Sequence, residues 1–419
     1  MRPELSVVIP SHNRAQKLDV VLAALAAQDT DRPFEVIVVL DGSTDGSRHV
    51  VEIWQELDVF ASFRWVEQPR AGAANARNVG AFLAQGPIVL FIDDDVVPDP
   101  NLISVHLAHH DSGERIAVLG DCEIVLSDDP SFLRRAQWAW WEDTYFRRAA
   151  ASQPSSYRDF LTGNVSLRRE DFARVGGFEA GFTDYGVEDY EMGYRLLGSG
   201  VRFVADRRAH ARHFNDATVR TMISASRQSG HGDVLMAQNH PELIAGLPLA
   251  GSGGERLRVA AGLAMYLPWL GFVVCLLKRG LLRVWERFGL RGRWLRDYAF
   301  VTWYGYWRGL HDAVGSMKNL RSLRAMAPPM LEQHVDVAED VAAQVQTLTV
   351  DVPSIINVAY RGTFVGSIEL RAHIEEPLLT WMLREVPATL TTELLTEIAH
   401  TVSPAELSMA RVPPVMRAG

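Results

Sequence analysis

Apolar and polar positions fall into regular blocks over the first hundred residues. Leu5–Pro10 (LSVVIP) and Phe34–Leu40 (FEVIVVL) are mostly apolar, β-branched runs of buried-strand length. Between them, Leu18, Val21, Leu22 and Leu25 recur at helical spacing within Lys17–Ala27. Further helices are predicted over Ser47–Leu57 and Asn75–Ala84, and strands over Phe63–Glu67 and Ile88–Ile92. This rhythm specifies an α/β fold with a parallel sheet and right-handed crossovers. Ligands of such sheets sit beyond the carboxyl ends of the strands. Here those ends are polar: Ser11-His12-Asn13, Asp41-Gly42-Ser43 and Asp93-Asp94-Asp95.

From Ile116 to about Phe214 the strands are shorter and an aromatic-rich insertion, RRAQWAWWEDTYFRR, intervenes. A helix carrying GVEDYEMGYRLL, a strand VRFVA and a His-bearing tail, HARHFND, follow. Ala245–Glu255 (AGLPLAGSGGE) reads as a linker. Val259–Leu277 then runs 19 residues without a charge, nearly the length that crosses a bilayer core. Spanning the membrane, lying in its interface and packing as a buried hairpin are all compatible with that run. Trp285, Trp294, Trp303 and Trp307 interleave with arginines behind it, as in interfacial helices, which favours membrane contact. After Pro328-Pro329 comes an acidic tail with a predicted hairpin (TLTVDVP, SIINVAYRG, TFVGSIELRA) and a helix near Thr391–His400. Three regions are expected: a catalytic domain over residues 1–245, an apolar and basic helical segment over 246–327, and a small α+β accessory domain over 328–419.

Composition narrows the function classes. The chain has 419 residues, 47% hydrophobic and 22% charged, which is ordinary globular usage. A net charge of −9 argues against a generic nucleic-acid binder. The charge is nevertheless uneven, at +8 over Lys278–Arg324 and −17 elsewhere, so a basic surface serves an acidic body. Two cysteines, Cys122 and Cys275, exclude a disulfide framework or a Cys-based zinc site. The opening MRPELSVVIP reads as passing into a strand without a signal peptide, so a cytoplasmic location is expected.

The chemistry gathers at the strand ends. Three adjacent carboxylates repel one another, and a cation is the natural way to keep Asp93, Asp94 and Asp95 charged together. In an extended segment Asp93 and Asp95 share a face while Asp94 points away. Oxygen ligands suit Mg2+ or Mn2+ bridging to a diphosphate; a solvated acidic loop is the plain alternative. Asp41 stands where a carboxylate can meet a ribose or a nucleobase N–H. No Walker A sequence and no G-x-G-x-x-G is present at the first strand, so a Gly-rich phosphate loop is not this chain's device. Arg77 lies on the helix before the third acidic end and suits a phosphate or a base edge. Glu188-Asp189 opens a helix, where acidic residues often only cap, but a carboxylate there also suits a general base. Glu191 and Arg195 are spaced to pair. His210 and His213 are each placed to complete a metal shell.

The ordered set VVIPSHNR, VVLDGSTDGS, AGAANARNVG, FIDDD, TGNVSLRREDFARVGGFEAGF, YGVEDYEMGYRL and a late His resembles a family-2 glycosyltransferase of the GT-A fold, over about Leu5 to His240. The resemblance implies a mixed, mainly parallel sheet flanked by helices, and transfer of a sugar from a nucleotide-diphosphate sugar, a UDP-sugar first, to a glycan or lipid-linked acceptor. It implies that Pro10, Asn13, Arg14, Asp41, Arg77 and Asp94 line the nucleotide pocket. Asp93 and Asp95 match the metal-binding D-x-D, with Asp95 the direct ligand to Mn2+ or Mg2+. Asp189 matches the base of inverting members, with Glu188 beside it. His213 is the better match to the late metal ligand, with His210 left open, and His12 replaces the more usual Tyr or Phe. Trp138, Trp140, Trp141 and Asn164 are candidates for the acceptor side, the tryptophans equally for core packing. Surface-polysaccharide or glycoconjugate synthesis at the cytoplasmic face of the inner membrane is the implied setting. A sugar nucleotidyltransferase and a non-catalytic membrane scaffold are the competing readings.

Overall fold

The computed structural model describes residues 2–126, 130–149, 156–182, 186–250, 255–329, 331–348 and 354–370. They divide into two units. The first takes in Met1–Ala149, Ser155–Asn239 and Gly251–Arg321; the second takes in Ala150–Pro154, His240–Ala250 and Ser322–Gly419.

The first unit is built on an eight-stranded sheet. Its parallel half comprises β1 (Leu5–Ser11), β2 (Phe34–Asp41), β3 (Ser62–Gln68) and β4 (Ile88–Ile92), in the spatial order β3-β2-β1-β4. Helices α1 (Ala15–Ala26), α2 (Ser47–Leu57) and α3 (Ala73–Leu83) connect them, close to the predicted positions. The apolar runs are continuous because both faces are covered. Val7, Ile9, Val36, Val38 and Leu40 pack with Leu18, Val21, Leu22 and Leu25 of α1. Val8, Ile37, Val39 and Phe91 pack with Ala74, Ala76 and Ala81 of α3. Helix α3 lies so close to β1 that a Cβ on Gly80 would come within 2.3 Å of Val8.

Beyond β4 the strand direction reverses. The remaining strands are β5 (Val96–Pro98), β6 (Ile116–Ile124), β7 (Asn164–Arg168) and β8 (Arg202–His213), and the order continues β4-β7-β6-β8-β5. Strand β7 runs antiparallel to β4, placing Asn164 opposite Ile92. Strand β8 runs parallel to β6 as far as Gly120↔Asp206, slips, and resumes at Asp121↔His210. Beyond that bulge β8 pairs antiparallel with β5, with Val96 opposite His213. The result is the mixed, helix-flanked sheet implied by the sequence motifs.

Helices α4 (Leu102–His110), α5 (Phe132–Ala149), α6 (Arg169–Arg174) and α7 (Glu188–Gly198) flank this half. Then come α8 (Val219–Asn239), α9 (Glu255–Tyr266), α10 (Pro268–Arg287), α11 (Arg291–Val314) and α12 (Met317–Arg324). Helices α8 and α11 cross at glycines: a Cβ on Gly230 would fall 2.0 Å from the Tyr306 carbonyl, and one on Gly309 would fall 1.7 Å from that of Arg227. The uncharged run Val259–Leu277 is divided between α9 and α10. Pro268 has no N–H to continue α9 and opens α10 instead. The Tyr304 hydroxyl donates to the Pro268 carbonyl over 2.8 Å and holds the break. Among the described residues, no helix is long and apolar enough to cross a membrane.

In the second unit, β9 (Leu331–Asp336), β10 (Ser354–Tyr360) and β11 (Thr363–Leu370) form a three-stranded sheet in the order β11-β10-β9, with α13 (Val341–Val345) between the first two strands. The predicted segments SIINVAYRG and TFVGSIELRA form the β10–β11 hairpin, turning at Arg361-Gly362, both with positive φ, while most of TLTVDVP lies outside the described residues. The helix expected near Thr391–His400 lies outside the described residues.

Candidate active site

The carboxyl ends of β1, β2 and β4 converge on the acidic triplet. Ile92 ends β4, and the chain turns at once, with the Val96 amide donating to the Asp93 carbonyl over 3.1 Å. This turn overrides the alternation expected of an extended segment. Asp94 and Asp95 are brought together, while Asp93 goes the other way. The Arg14 guanidinium bridges the first pair, 2.8 Å from Asp94 and 3.0 Å from Asp95. Ser11 donates to Asp94 over 2.7 Å. Burial pushes the Asp94 carboxyl up to about 6 against the pull of Arg14 and Ser11.

Asp95 faces three cationic or potentially cationic groups. Besides Arg14, Lys17 Nζ lies 3.5 Å from Oδ2 and His213 Nε2 lies 3.4 Å from Oδ1. Burial alone would raise its pKa; His213, Arg14 and Lys17 outweigh that and hold it below the ordinary carboxylate range. The position of His213 follows from the β5–β8 pairing, reinforced by a 2.9 Å hydrogen bond from the Phe214 amide to the Asp95 carbonyl. His210, three residues earlier, turns to Asp99, 2.9 Å away, and to Glu123. Of the two histidines, His213 is the one that reaches the acidic triplet.

On the other side, Arg77 from α3 is buried among carboxylates. Its Nη2 donates to Asp93 over 2.8 Å, and its Nη1 lies 3.3 Å from Glu188 and 3.7 Å from Asp189. Burial would lower the guanidinium pKa; Asp93, Asp189 and Glu188 outweigh it and hold Arg77 firmly charged. Glu188 also accepts from the Gly186 amide over 2.6 Å. Asp189 accepts from Thr162 twice, from Oγ1 over 2.7 Å and from the amide over 3.1 Å. Burial and the neighbouring Glu188 charge nevertheless push Asp189 up to about 7.

The nucleotide-side candidates occupy the β1 and β2 ends. Pro10 is buried near the end of β1. Asn13 takes a left-handed conformation with φ 54°, which Asn tolerates, and accepts from the Thr44 amide over 2.7 Å. Asp41 accepts from Gln68, the Ala71 amide and the Gly72 amide over 2.7–2.9 Å, taking up most of its acceptor capacity. It therefore shapes the loop into α3. His12 donates from Nδ1 to the Asp41 carbonyl over 2.7 Å and accepts at Nε2 from Arg70.

The acceptor candidates do not form one surface. Trp141 is buried and donates to Asp121 over 3.0 Å, whereas Trp138 and Trp140 are exposed. The Trp140 and Trp141 rings touch, with centroids 6.0 Å apart, but Trp141 is buried while Trp140 is exposed. Asn164 is buried and fully used: its amide donates to the carbonyls of Asp121 and Ala209, and its oxygen faces His106. Asn164 thereby ties β6, β7 and β8 together. Two residues not singled out from the sequence touch the candidate carboxylates: Lys17 beside Asp95 and Thr162 on Asp189. Thr162 was legible only as lying two residues before a strand, and Lys17 only as one turn along the helix from Arg14.

The Glycosyl transferase family 2 profile matches residues 6–176, and a profile described as the N-terminal domain of galactosyltransferase matches residues 145–217. The chain carries a glycosyl transferase family 2 domain. Validoxylamine A glucosyltransferase of Streptomyces hygroscopicus subsp. jinggangensis is 38% identical over 230 residues, covering 49% of this chain and 54% of that protein. Chondroitin synthase of Pasteurella multocida is 28% identical over 229 residues, covering 48% of this chain and 23% of that protein. The chain thus spans about half, or less, of the length of these relatives. Among solved structures, a mannosyltransferase from Pyrobaculum calidifontis in complex with GDP-Man and Mn2+ aligns with a TM-score of 0.47 at 20% identity, over 73% of this chain and 86% of that one.

A divalent metal can be tested against the donor set of the family-2 domain. Among the described residues, no three His, Cys, Asp or Glu side chains converge on one point. Asp95 and His213 do converge, offering an oxygen and a nitrogen donor. Mg2+ and Mn2+ are commonly held by one or two protein ligands with phosphate oxygens completing the shell, so a two-ligand site fits them.

Proposed function

We propose that the chain is a metal-dependent, inverting glycosyltransferase that uses a nucleotide-diphosphate sugar, a UDP-sugar first, and a hydroxyl-bearing glycan or lipid-linked acceptor. The observation that carries this reading is the juxtaposition of two separately built carboxylates. Asp189, fixed by Thr162 and raised to about 7, is joined through Arg77 to the acidic turn at the end of β4.

In this reading Asp95 and His213 would hold Mn2+ or Mg2+, which would supply Lewis-acid stabilisation of the diphosphate, while Asp93 is held by Arg77. Pro10, Asn13 and the loop ordered by Asp41 receive the nucleoside, and Asp94 fixes Arg14 beside the phosphates. Asp189 accepts the proton of the acceptor hydroxyl, whose oxygen forms the new bond to the anomeric carbon. The bond from that carbon to the diphosphate oxygen breaks, and the nucleoside diphosphate leaves. One displacement inverts the anomeric centre. A pKa near 7 suits a base working at neutral pH. Glu188 and Arg77 set the charge around it. Residues 1–245 carry catalysis, 246–327 contact the membrane and 328–419 are accessory. We place the enzyme at the cytoplasmic face of an anionic inner membrane. The basic balance of Lys278–Arg324 supports that location, each basic side chain near such a surface adding about 1 kcal/mol.

The test is equilibrium binding of UDP, GDP, CDP and dTDP with Mn2+ and with EDTA, to the wild type and to Asp95→Ala. One nucleotide should bind tightly only with metal and only to the wild type. If no nucleotide shows metal-dependent binding, the mechanism is wrong and the fold serves another chemistry. Pyrophosphate release from a nucleoside triphosphate would instead identify a nucleotidyltransferase.

A further inference from the structure

Helices α9, α10 and α11 line an open cleft of about 570 Å³, whose lining includes Lys278, Trp285, Arg293, Arg296, Asp297 and Phe300. Its charges are not balanced. Asp297 is committed to Lys278 and accepts from the Trp285 indole over 2.8 Å. Arg293 and Arg296 have no carboxylate partner among the described residues: Arg293 lies over the Trp285 ring at 5.1 Å, and Arg296 donates to the Gly292 carbonyl over 3.2 Å. Both belong to the first two turns of α11, where the helix end also favours an anion.

The outer surface of α10 completes the pattern. Gly271, Cys275 and Leu282 face inward, whereas Trp269, Phe272, Val273, Leu276 and Leu277 are exposed, Trp269 at 69% and Leu277 at 65%. Farther along, Leu281, Val284 and Phe288 continue the exposed apolar surface, with Arg279, Arg283 and Arg287 spaced four apart beside it. An apolar face of this extent on one helix requires an apolar partner. Two copies of this face packed together would oppose their own arginine rows.

We propose that the α10–α11 cleft is a head-group site for an anionic phospholipid, Arg293 and Arg296 holding the phosphate while the exposed face of α10 enters the acyl boundary. Guanidinium groups suit phosphate because their forked N–H donors match its oxygens. Trp285 forms the aromatic wall beside them. The inference rests on the membrane-surface reading of the chain and assigns it a site and a ligand class.

Flotation of the full chain with phosphatidylcholine vesicles, with and without phosphatidylglycerol, tests it on the wild type, on Arg293→Lys/Arg296→Lys and on Arg279→Lys/Arg283→Lys. All three carry the same net charge. The wild type should float with the anionic vesicles, and the Arg293/Arg296 pair of substitutions should weaken partition about tenfold, because lysine keeps the charge but loses the fork. The Arg279/Arg283 pair should change it less than about twofold, as general surface electrostatics does not distinguish lysine from arginine. If the wild type floats and the Arg293→Lys/Arg296→Lys chain floats equally well, the cleft is not the site and only the surface reading survives. If the wild type floats with no vesicle, both fail. Matching circular dichroism of the three chains confirms that folding is not the variable.

Discussion

His213 Nε2 stands 3.4 Å from Asp95 Oδ1 because residue 213 is the β-ladder partner of residue 96, the next residue but one beyond Asp94. The contact is imposed by backbone pairing, so it does not depend on the side chains finding one another. His213→Ala should weaken Mn2+-dependent nucleotide binding by about 10–100-fold, the usual cost of degrading a metal shell. His210→Ala, which removes a partner of Asp99, should leave it within about twofold. Calorimetric titration of both variants with nucleotide and Mn2+ decides the assignment, and an equal loss in both would refute it.

Asp189 predicts a pH profile. Its carboxyl is raised to about 7 by burial and by Glu188, so the unprotonated base is lost as pH falls through neutrality, and kcat should show an acid limb near pH 7. The same shift has a stability sign. A carboxyl raised above its unfolded value contributes stability that is full below the ordinary carboxylate range and is lost as pH rises through about 7. Asp189→Asn should lower kcat by about 10²–10⁴. Thr162→Val removes a hydrogen bond that favours the charged form, so the acid limb should move to higher pH. A limb that stays in place would show that Thr162 is merely structural.

Arg77 compensates three carboxylates in a buried setting. Arg77→Met should destabilise the fold by about 3–5 kcal/mol, since it leaves uncompensated buried charge. Urea unfolding at pH 8 measures this. At lower pH the loss should shrink as Asp189 takes up a proton. A pH-independent loss would mean that packing, not charge, is the main contribution of the arginine.

The parallel half of the sheet was legible because strands covered on both faces are mostly apolar, as Val7–Pro10 and Val36–Leu40 are. The short strand Val96–Pro98 was not, since three residues carry no period, and without it the destination of His213 stayed open. The acidic triplet was legible as a site but not as a shape. Alternation assigns Asp93 and Asp95 to one face, whereas a turn delivers Asp94 and Asp95 to Arg14 and sends Asp93 to Arg77. Asn164 and Trp141 have the residue types of a binding surface, and only tertiary packing shows that their polar atoms are taken up internally. The length of Val259–Leu277 was plain, but the effect of Pro268 depended on Tyr304, 36 residues away in sequence.

The α8–α11 crossing yields a prediction independent of catalysis. Gly309→Ala would place a methyl group against the Arg227 carbonyl and should cost about 1–3 kcal/mol. Gly262→Ala, in a helix with open space around that position, should be neutral or stabilising by up to about 1 kcal/mol. Thermal melts of the two variants give the comparison, and equal melting temperatures would show that the crossing has slack.

The pairing of Val96 with His213 also governs the order in which competence arises during synthesis. The acidic turn is translated early, but its histidine lies at the far end of the last long strand of the sheet, and no local segment can supply it. Long-range pairings of this kind form late and slowly. A nascent chain released before residue 213 could build the parallel half and its carboxylates, yet would lack the imidazole beside them. The contact between Asp95 and His213 thus comes into being only when β8 has paired with β5.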